Sequence, residues 1–388
     1  MSMIVRIAGR GEGVTDDGRH IAFTAPGDTI GAAGEIIPGP HHQTPPCRHF
    51  PECGGCQLQQ LDDASYADFV TDRIVSALAA QGLEASLRPV HLSPPRTRRR
   101  ASLHYDRGKL GFSAEKSHAI VDIRECHVLA PELFALVAPL RALITRLRAK
   151  RRIEVQLTLA DQGVDVLLSG LAAEGLAAAE AIVAFGERLG IARLSIDDGL
   201  GPETRWEPRP VTITLGTTPV PMPPGAFLQA TEDGEAVLVA AVREAVGEAR
   251  TVADLFAGLG TFAFALPGKV YAAEGARDAI LSLKAGANAA QAPVFADHRD
   301  LFRRPLTAVE LDRFGAVVLD PPRAGAREQT VSLATSRTEA IAYVSCNPSS
   351  FARDAKTLVE GGWRIDWIQP VGQFRWSTHV ELAARFIR

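Results

Sequence analysis

The feature that most constrains the fold is a regular alternation of apolar strands and helical segments in the C-terminal part of the chain. A helix is predicted over residues 232–246. Apolar strands separated by helical stretches follow it, at residues 252–256, 270–273, 294–296, 316–319 and 342–345. This alternation is typical of a parallel sheet with helices on both faces. Two more strands, at 364–369 and 380–387, end the chain. We therefore predict an α/β protein with a doubly wound, Rossmann-like C-terminal domain.

The residues before this domain indicate two further parts, and a length of 388 residues agrees with two to three domains. Residues 4–37 contain short strand-like runs broken by glycines, as in a fragment of a small β-barrel that is too short to close well. The middle of the chain predicts a mixed α/β domain, with helices at 65–80, from Pro131 and at 171–188, a strand at 119–123 and a hairpin over 153–168. The Pro- and Gly-rich stretch 199–225 marks a crossing between domains.

Composition excludes few function classes. No apolar run approaches the roughly 20 residues that a bilayer-spanning helix needs, and the N-terminus has no apolar signal core. We therefore expect a cytoplasmic protein with reduced thiols. The 42 basic and 45 acidic residues nearly balance, so only local clusters bear on a nucleic-acid partner. Basic residues concentrate at 96–100 and 141–152, and we expect the first cluster to contact phosphates.

The five cysteines divide into a group of four and one alone. Cys47, Cys53, Cys56 and Cys126 follow the pattern C-x5-C-x2-C with a distant fourth member. Four thiolates can hold Zn²⁺ or an iron–sulfur cluster, and the residues alone leave both open. Cys346 follows an apolar strand and is a candidate nucleophile, although a lone buried cysteine is more often inert.

A glycine-rich turn after the first strand of the C-terminal domain indicates a nucleotide site. The sequence from Asp254 to Phe262 predicts a strand, a turn with Gly258 and Gly260, and the start of a helix. The pattern also fits a dinucleotide fingerprint, so a dehydrogenase must be considered. An acid at the start of the motif and the turn Asp320-Pro321-Pro322 favour S-adenosylmethionine instead.

Three motifs together resemble the RNA 5-methyluridine methyltransferases: Asp320-Pro321-Pro322-Arg323, Ser345-Cys346-Asn347-Pro348 and His379-Val380-Glu381. The four-cysteine pattern resembles the iron–sulfur branch of that family, whose members act on 23S ribosomal RNA. The resemblance implies a class I methyltransferase fold, S-adenosylmethionine as cofactor and a [4Fe–4S] cluster on the four cysteines. It also implies that Cys346 adds to C6 of uracil and that Glu381 is the general base that removes the C5 proton.

The resemblance extends to the cofactor site and to the domains. Residues implied to contact S-adenosylmethionine are Gln229, Phe256, Thr261, Glu274, Asp297 and Asp320. The family usually has Asn where this chain has Thr231 and often where it has Thr261, so we expect altered cofactor contacts. The implied architecture is an abbreviated TRAM-like β segment at 1–38, a central iron–sulfur and RNA-binding domain at 39–58 and 88–222, and a methyltransferase domain at 59–87 and 223–388.

We expect RNA as the partner, 23S ribosomal RNA in preference to transfer RNA, a monomeric chain and no membrane association. A metal-stabilised RNA-binding protein without activity is the alternative from another class. A redox or hydride-transfer enzyme is the third.

Overall fold

The computed structural model describes all 388 residues, in 21 strands and nine helices. The strands are β1 Ser2–Ile7, β2 Gly13–Thr15, β3 His20–Ile21, β4 Thr29–Ile30, β5 Ile36–Ile37, β6 His91–Leu92, β7 Arg100–Asp106, β8 Lys109–Gly111, β9 Ile153–Ala160, β10 Gly163–Ser169, β11 Arg193–Asp197, β12 Pro202–Trp206, β13 Thr212–Leu215, β14 Thr218–Pro221, β15 Thr251–Leu255, β16 Lys269–Glu274, β17 Val294–His298, β18 Ala316–Leu319, β19 Ala340–Ser345, β20 Arg364–Gly372 and β21 Glu381–Ile387. The helices are α1 Asp63–Ala79, α2 Pro131–Ala135, α3 Val137–Arg146, α4 Leu176–Leu189, α5 Glu232–Val246, α6 Arg277–Ala289, α7 Ala308–Leu311, α8 Arg327–Thr335 and α9 Pro348–Glu360.

The predicted doubly wound sheet is present and has eight strands, in the order β17-β16-β15-β18-β19-β21-β20-β6. The first five of these are parallel, and β21 runs antiparallel to both β19 and β20. Every residue of β18 and β19 is buried, as expected of central strands covered on both faces. Because β15 lies between β16 and β18, the strand order reverses there, and ligands of open α/β sheets bind at that point.

Helices cover both faces of this sheet, as alternate residues of β19 demonstrate. Ile341 and Tyr343 belong to a core that includes residues of α1, α8 and α9, whereas Ala342 and Val344 belong to the core formed with α5. Helix α1 lies far from the C-terminal domain in sequence but packs against α9 and β20. None of the nine helices combines the length and the apolar character that crossing a membrane requires.

The prediction that a helix follows the glycine-rich turn is wrong. Residues 256–265 form a run of turns, in which the Phe264 amide donates to the Gly260 carbonyl at 3.1 Å. The sequence Pro267-Gly268 directly precedes β16, and proline prevents a helix from continuing to that strand.

The middle of the chain forms a second sheet of six strands, in the order β12-β11-β10-β9-β7-β8, with residues of α2, α3 and α4 in its core. The predicted hairpin is β9 and β10. The strand predicted at 119–123 is not formed: this stretch makes an isolated bridge between Ser113 and Ile120, and the Val121 and Ile123 amides donate to the Phe112 and Leu110 carbonyls at 3.0 and 3.2 Å. Its side chains explain why: the Asp122 carboxylate accepts the Leu110 amide at 3.1 Å, which interrupts a backbone ladder.

The N-terminal residues form five short antiparallel strands in the order β3-β2-β1-β4-β5. Strands β3 and β5 are the two edges and do not pair with each other, so the sheet is open. Ile7 and Ala25 pack in the same core as α1, which attaches this segment to the C-terminal sheet.

Candidate active site

A cavity of about 710 Å³ opens at the carboxyl ends of β15, β16, β18 and β19. This is the position at which a sheet of this topology forms its ligand crevice. A cavity of this size suits a nucleotide-sized molecule. Seven of the eight residues predicted for catalysis and cofactor binding line it: Gln229, Phe256, Thr261, Glu274, Asp320, Cys346 and Glu381.

The structure does not bring Asp297, the eighth of these residues, into the cavity. The Asp297 carboxylate instead accepts a hydrogen bond from the Tyr271 hydroxyl at 2.5 Å. Asp297 pairs with Ala273 of β16, and side chains alternate along a strand, so its side chain lies on the same face as Tyr271. Asp300, in the loop after β17, lines the cavity instead. Sequence reasoning missed Asp300 because no strand periodicity marks a loop residue.

Glu274 organises the cofactor end of the cavity. Its two carboxylate oxygens accept the Gly258 amide at 2.9 Å and the Ala276 amide at 2.6 Å. Phe256 has a φ of 65°, a left-handed conformation that is unusual for a bulky residue and common at binding sites. At Gly260 a Cβ atom would lie 2.6 Å from the Phe264 ring, so only glycine allows this close packing. The loop is therefore held in one shape beside Glu274.

Three carboxyl groups near the cavity are removed from water. Burial raises the pKa of Asp254 to about 8, and the Asp320 charge adds to this. Burial, with the nearby Glu274 charge, raises the pKa of Asp320 to about 7. Burial, with the Asp320 charge, raises the pKa of Glu381 to about 8. Each of these carboxylates therefore makes ionisation of its neighbour less favourable.

Cys346 lies between β19 and α9 and is half-buried. Burial raises the pKa of its thiol to about 11, and the Glu381 and Asp320 charges act in the same direction. Asn347 caps α9 by accepting the Ser349 amide at 3.1 Å, and its side-chain amide donates to the Arg323 carbonyl at 2.9 Å. This second bond ties the cysteine loop to the Asp-Pro-Pro-Arg loop.

Comparison with known proteins identifies the family. The family described as tRNA (Uracil-5-)-methyltransferase matches residues 286–387. An uncharacterized RNA methyltransferase of Zymomonas mobilis is 52% identical over 396 residues, covering 100% of both chains. The 23S rRNA (uracil(1939)-C(5))-methyltransferase RlmD of Chromohalobacter salexigens is 33% identical over 375 residues, covering 89% of this chain and 76% of that one. The chain belongs to the RNA uracil-C5 methyltransferases.

The fold of this methyltransferase is also found in a solved structure. The tRNA (uracil-54, C5)-methyltransferase of Pyrococcus abyssi, in complex with S-adenosyl-L-homocysteine, superposes with a TM-score of 0.79 at 23% identity, covering 100% of this chain and 99% of that one. The class I methyltransferase fold predicted from the sequence is therefore confirmed. Family membership also makes the chain an RNA uracil-C5 methyltransferase, so the inactive RNA-binding and hydride-transfer alternatives are wrong.

The wall of the methyltransferase cavity beside Cys346 carries a cation and an imidazole. Arg323 Nη2 donates to His379 Nδ1 at 2.9 Å, and the His379 ring meets the Phe374 ring edge-on at 5.7 Å between centroids. Burial, and then the Arg323 charge, lower the pKa of His379. Both effects favour the neutral imidazole, and the same Arg323 nitrogen also lies 3.1 Å from His379 Nε2. Arg323, Phe374 and His379 all line the cavity.

The basic cluster at 96–100 is only partly available to RNA. Arg99 is 7% exposed and pairs with Glu235 at 2.6 Å, so the expected phosphate contact is wrong for this residue. Its amide also donates to the Ala230 carbonyl at 2.9 Å, which joins the six-stranded sheet to the segment that carries Gln229. The Arg100 guanidinium lies 5.2 Å from the centre of the Phe227 ring, at the cavity rim.

The four cysteines predicted as metal ligands line one small cavity, together with Gln59, Phe112 and their neighbours. Burial raises the pKa of Cys53 to about 11 and that of Cys56 to about 12. No three His, Cys, Asp or Glu side chains in the chain are arranged as ligands of one metal ion. The structure thus gathers the thiols without giving them ligand geometry. Four thiol groups are nevertheless the donor set that zinc and iron–sulfur centres prefer.

Proposed function

We propose that this enzyme methylates C5 of uridine in 23S ribosomal RNA through a covalent adduct with Cys346. The observation that carries the proposal is that a thiol, a buried carboxyl and the predicted cofactor residues line one cavity. The relative named for 23S rRNA is 33% identical to this chain over 375 residues and supports the substrate.

The proposed chemistry follows from the reactivity of uracil, in which C5 is a poor nucleophile. The Cys346 thiolate adds to C6, and the electron pair of the C5=C6 bond moves into an enolate that is nucleophilic at C5. S-adenosylmethionine, when bound, supplies a methyl group to C5. Glu381 then takes the proton from C5, the double bond re-forms and the Cys346 thiolate leaves.

We propose that Gln229, Phe256, Thr261, Glu274 and Asp320 hold the cofactor. Acidic side chains at this end of the cavity suit a cofactor that carries a sulfonium charge. Glu274 is the proposed partner of the ribose hydroxyls. At the adenine end we propose Asp300 in place of Asp297, because Asp300 lines the cavity.

We also propose that Cys47, Cys53, Cys56 and Cys126 hold a [4Fe–4S] cluster, with zinc as the alternative. An all-cysteine site leaves no iron open to substrate, so the proposed role is structural or in RNA docking. The domain division predicted from the sequence is proposed unchanged, supported by the packing of α1 on the C-terminal sheet. The proposed location is the cytoplasm, where ribosomal RNA is present and thiols stay reduced.

Trapping with a fluorinated substrate tests the chemistry. RNA with 5-fluorouridine at the target position should form a stable protein–RNA adduct, because fluorine cannot leave as a proton. Cys346→Ala should abolish the adduct, and Ser349→Ala, an exposed neighbour in the same turn, should retain it. An adduct that persists in Cys346→Ala would mean that another residue is the nucleophile.

Mapping of 5-methyluridine tests the RNA. In a deletion strain, the modification should disappear from a site in 23S ribosomal RNA and return when the gene is restored. Loss from transfer RNA alone would overturn the ribosomal assignment and leave the chemistry intact. The transfer-RNA alternative is retained because the Pyrococcus abyssi enzyme of the same fold is named for tRNA.

A further inference from the structure

Gln373 is a buried polar residue next to the cavity that no sequence motif singled out. It follows β20 and is 1% exposed. Its side-chain oxygen accepts the Ala230 amide at 3.0 Å, and its side-chain nitrogen donates to the Gln229 oxygen at 2.8 Å. The Gln373 side chain therefore binds the segment that carries a proposed cofactor residue, and it also hydrogen-bonds the Glu381 carboxyl, which offsets part of the rise in the pKa of Glu381.

These hydrogen bonds determine the orientation of the Gln373 side-chain amide and, through it, that of the Gln229 side-chain amide. A backbone N–H can only donate, so the Gln373 atom facing Ala230 must be the oxygen, and its NH2 group must face Gln229. Gln229 in turn must present its oxygen to Gln373. The Gln229 NH2 group then points the other way and lies 3.5 Å from an Asp320 oxygen, on the cavity side.

We propose that Gln373 is a positioning residue that holds the Gln229 amide with its NH2 group towards the cofactor. In this orientation Gln229 offers a donor to an acceptor atom of S-adenosylmethionine, such as an oxygen of its carboxylate. The opposite orientation would present an oxygen to Asp320 and to that acceptor, and would be repelled by both. This inference rests on the proposed cofactor role of Gln229.

The packing around Gln373 favours a single arrangement. A Cβ atom at Gly234, in the first turn of α5, would lie 2.7 Å from the Thr231 hydroxyl and 2.8 Å from the Gln373 Cβ, so glycine there leaves room for both side chains. The Gln229 backbone is held independently, because Arg99 Nε donates to its carbonyl at 3.2 Å. A fixed backbone and a fixed partner leave the Gln229 amide no freedom to turn over.

Gln373→Glu is the decisive variant because the hydrogen bonds that the introduced carboxyl group can make depend on whether it is protonated. A carboxylate accepts from Ala230 but cannot donate to Gln229, whereas a protonated carboxyl can do both. Burial and nearby acids raise the pKa of the introduced carboxyl towards neutral pH. The charged groups around this position are Glu381, Asp320, Asp233, Arg323 and the paired Arg99 and Glu235.

The experiment measures the Kd of S-adenosylmethionine by calorimetry near pH 6 and near pH 8. At the higher pH, Gln373→Glu should bind at least about tenfold more weakly than the wild type, equivalent to one lost hydrogen bond. At the lower pH the ratio of variant to wild-type Kd should fall towards one. Gln373→Met, which has neither polar group, should bind several-fold more weakly, with no such change of the ratio.

Gln369→Glu is the matched control, since Gln369 lies on β20, four residues before Gln373, but contacts the Pro89 carbonyl, away from the cavity. It should bind the cofactor like the wild type at both pH values. A Gln373→Glu ratio that stays near one, or that stays high and constant with pH, would overturn the proposal.

Gly234→Ala provides a second test if Gln373→Glu does not fold. The added methyl group would displace the Gln373 side chain and the Thr231 hydroxyl that caps α5, without changing charge, and should weaken cofactor binding several-fold. Wild-type affinity in Gly234→Ala would count against the proposal. Failure of the proposed function is separately recognisable, because the wild type would then show neither cofactor binding nor 5-methyluridine formation.

Discussion

At the scale of single residues, the negative charge of the proposed base, Glu381, disfavours ionisation of the proposed nucleophile, Cys346. Burial raises the pKa of the Cys346 thiol to about 11, and the Glu381 charge contributes to that rise. Glu381 must itself be ionised to accept the C5 proton, and burial raises its pKa to about 8. Both reactive forms are the deprotonated ones, so activity should increase as the pH rises through about 8 and should keep increasing towards about 11, where the thiol ionises.

Glu381→Gln should separate the role of Glu381 as a base from the effect of its charge on the pKa of Cys346. The variant should accumulate the covalent adduct on ordinary RNA, because methyl transfer precedes proton removal. It should also lower the pKa of Cys346, since a neighbouring negative charge is gone. Alkylation of Cys346 by iodoacetamide, followed by peptide mass spectrometry across pH, should therefore begin at lower pH than in the wild type. Glu360→Gln, at the exposed end of α9, is the control. An unchanged alkylation profile in Glu381→Gln would contradict the coupling.

At the scale of elements, the loop between β20 and β21 connects the cavity to the N-terminal third of the chain. This loop contributes Phe374 and His379 to the cavity wall. The hydroxyl of Tyr66 on α1 donates to the Phe374 carbonyl at 2.9 Å and the Ser377 carbonyl at 3.2 Å. The Trp376 carbonyl accepts the two amides that follow Cys56, at 2.8 and 3.0 Å. The loop is thus held from behind by α1 and by the cysteine segment.

Tyr66→Phe should loosen this loop without altering the cofactor end. The change removes the hydroxyl that the Phe374 and Ser377 carbonyls share; the Phe374 carbonyl keeps the Ser377 amide, and the free energy of unfolding should fall by about 1–3 kcal/mol. The KM for RNA should rise several-fold, whereas the Kd for S-adenosylmethionine should stay within twofold, roughly the error of additive, distant effects. Tyr105→Phe, whose hydroxyl meets Thr145 in the central domain, should lose stability without a change in KM. An unaltered KM in Tyr66→Phe would show that the loop does not depend on α1.

At the scale of the whole molecule, the four cysteines join distant parts of the chain. Three come from residues 47–56, and Cys126 comes from the stretch after the β7–β8 hairpin, yet all line one cavity. The residues that follow Cys56 also bind the active-site loop. A centre held by these thiols would therefore stabilise both the central domain and its contact with the C-terminal sheet.

Anaerobically purified protein should be brown and contain about four irons per chain with matching sulfide. Cys126→Ser should lose this metal and unfold at a lower temperature, because one of four ligands is missing. Cys346→Ser is the control, since it removes a thiol from the other site, and should keep the iron. Stoichiometric zinc without labile sulfide would show that the centre is not an iron–sulfur cluster.

The sequence by itself determined the local elements and the chemistry at their ends. The strands β15, β16, β18 and β19 and helix α5 lie where apolar runs and helical periodicity predict them, because burial on both faces of a parallel sheet produces that pattern. Short motifs at the strand ends identified Asp320, Cys346 and Glu274, which topology brings to one edge of the sheet. Their individual roles stay predictions.

Only the tertiary structure decided how these elements support one another. Gln373 and Gln229 are 144 residues apart, and Tyr66 and Phe374 are 308 apart, so no local pattern could reveal either contact. Arg99 is a basic residue that turned out to be buried, because Glu235 of another element neutralises it. The prediction that Asp297 contacts the cofactor failed because its side chain lies on the same face of the sheet as Tyr271. The alternation of side chains along a strand, not proximity in sequence, determines which of them reach the cavity. The raised pKa of Glu381 likewise depends on burial by distant segments, which exists only once the chain has folded.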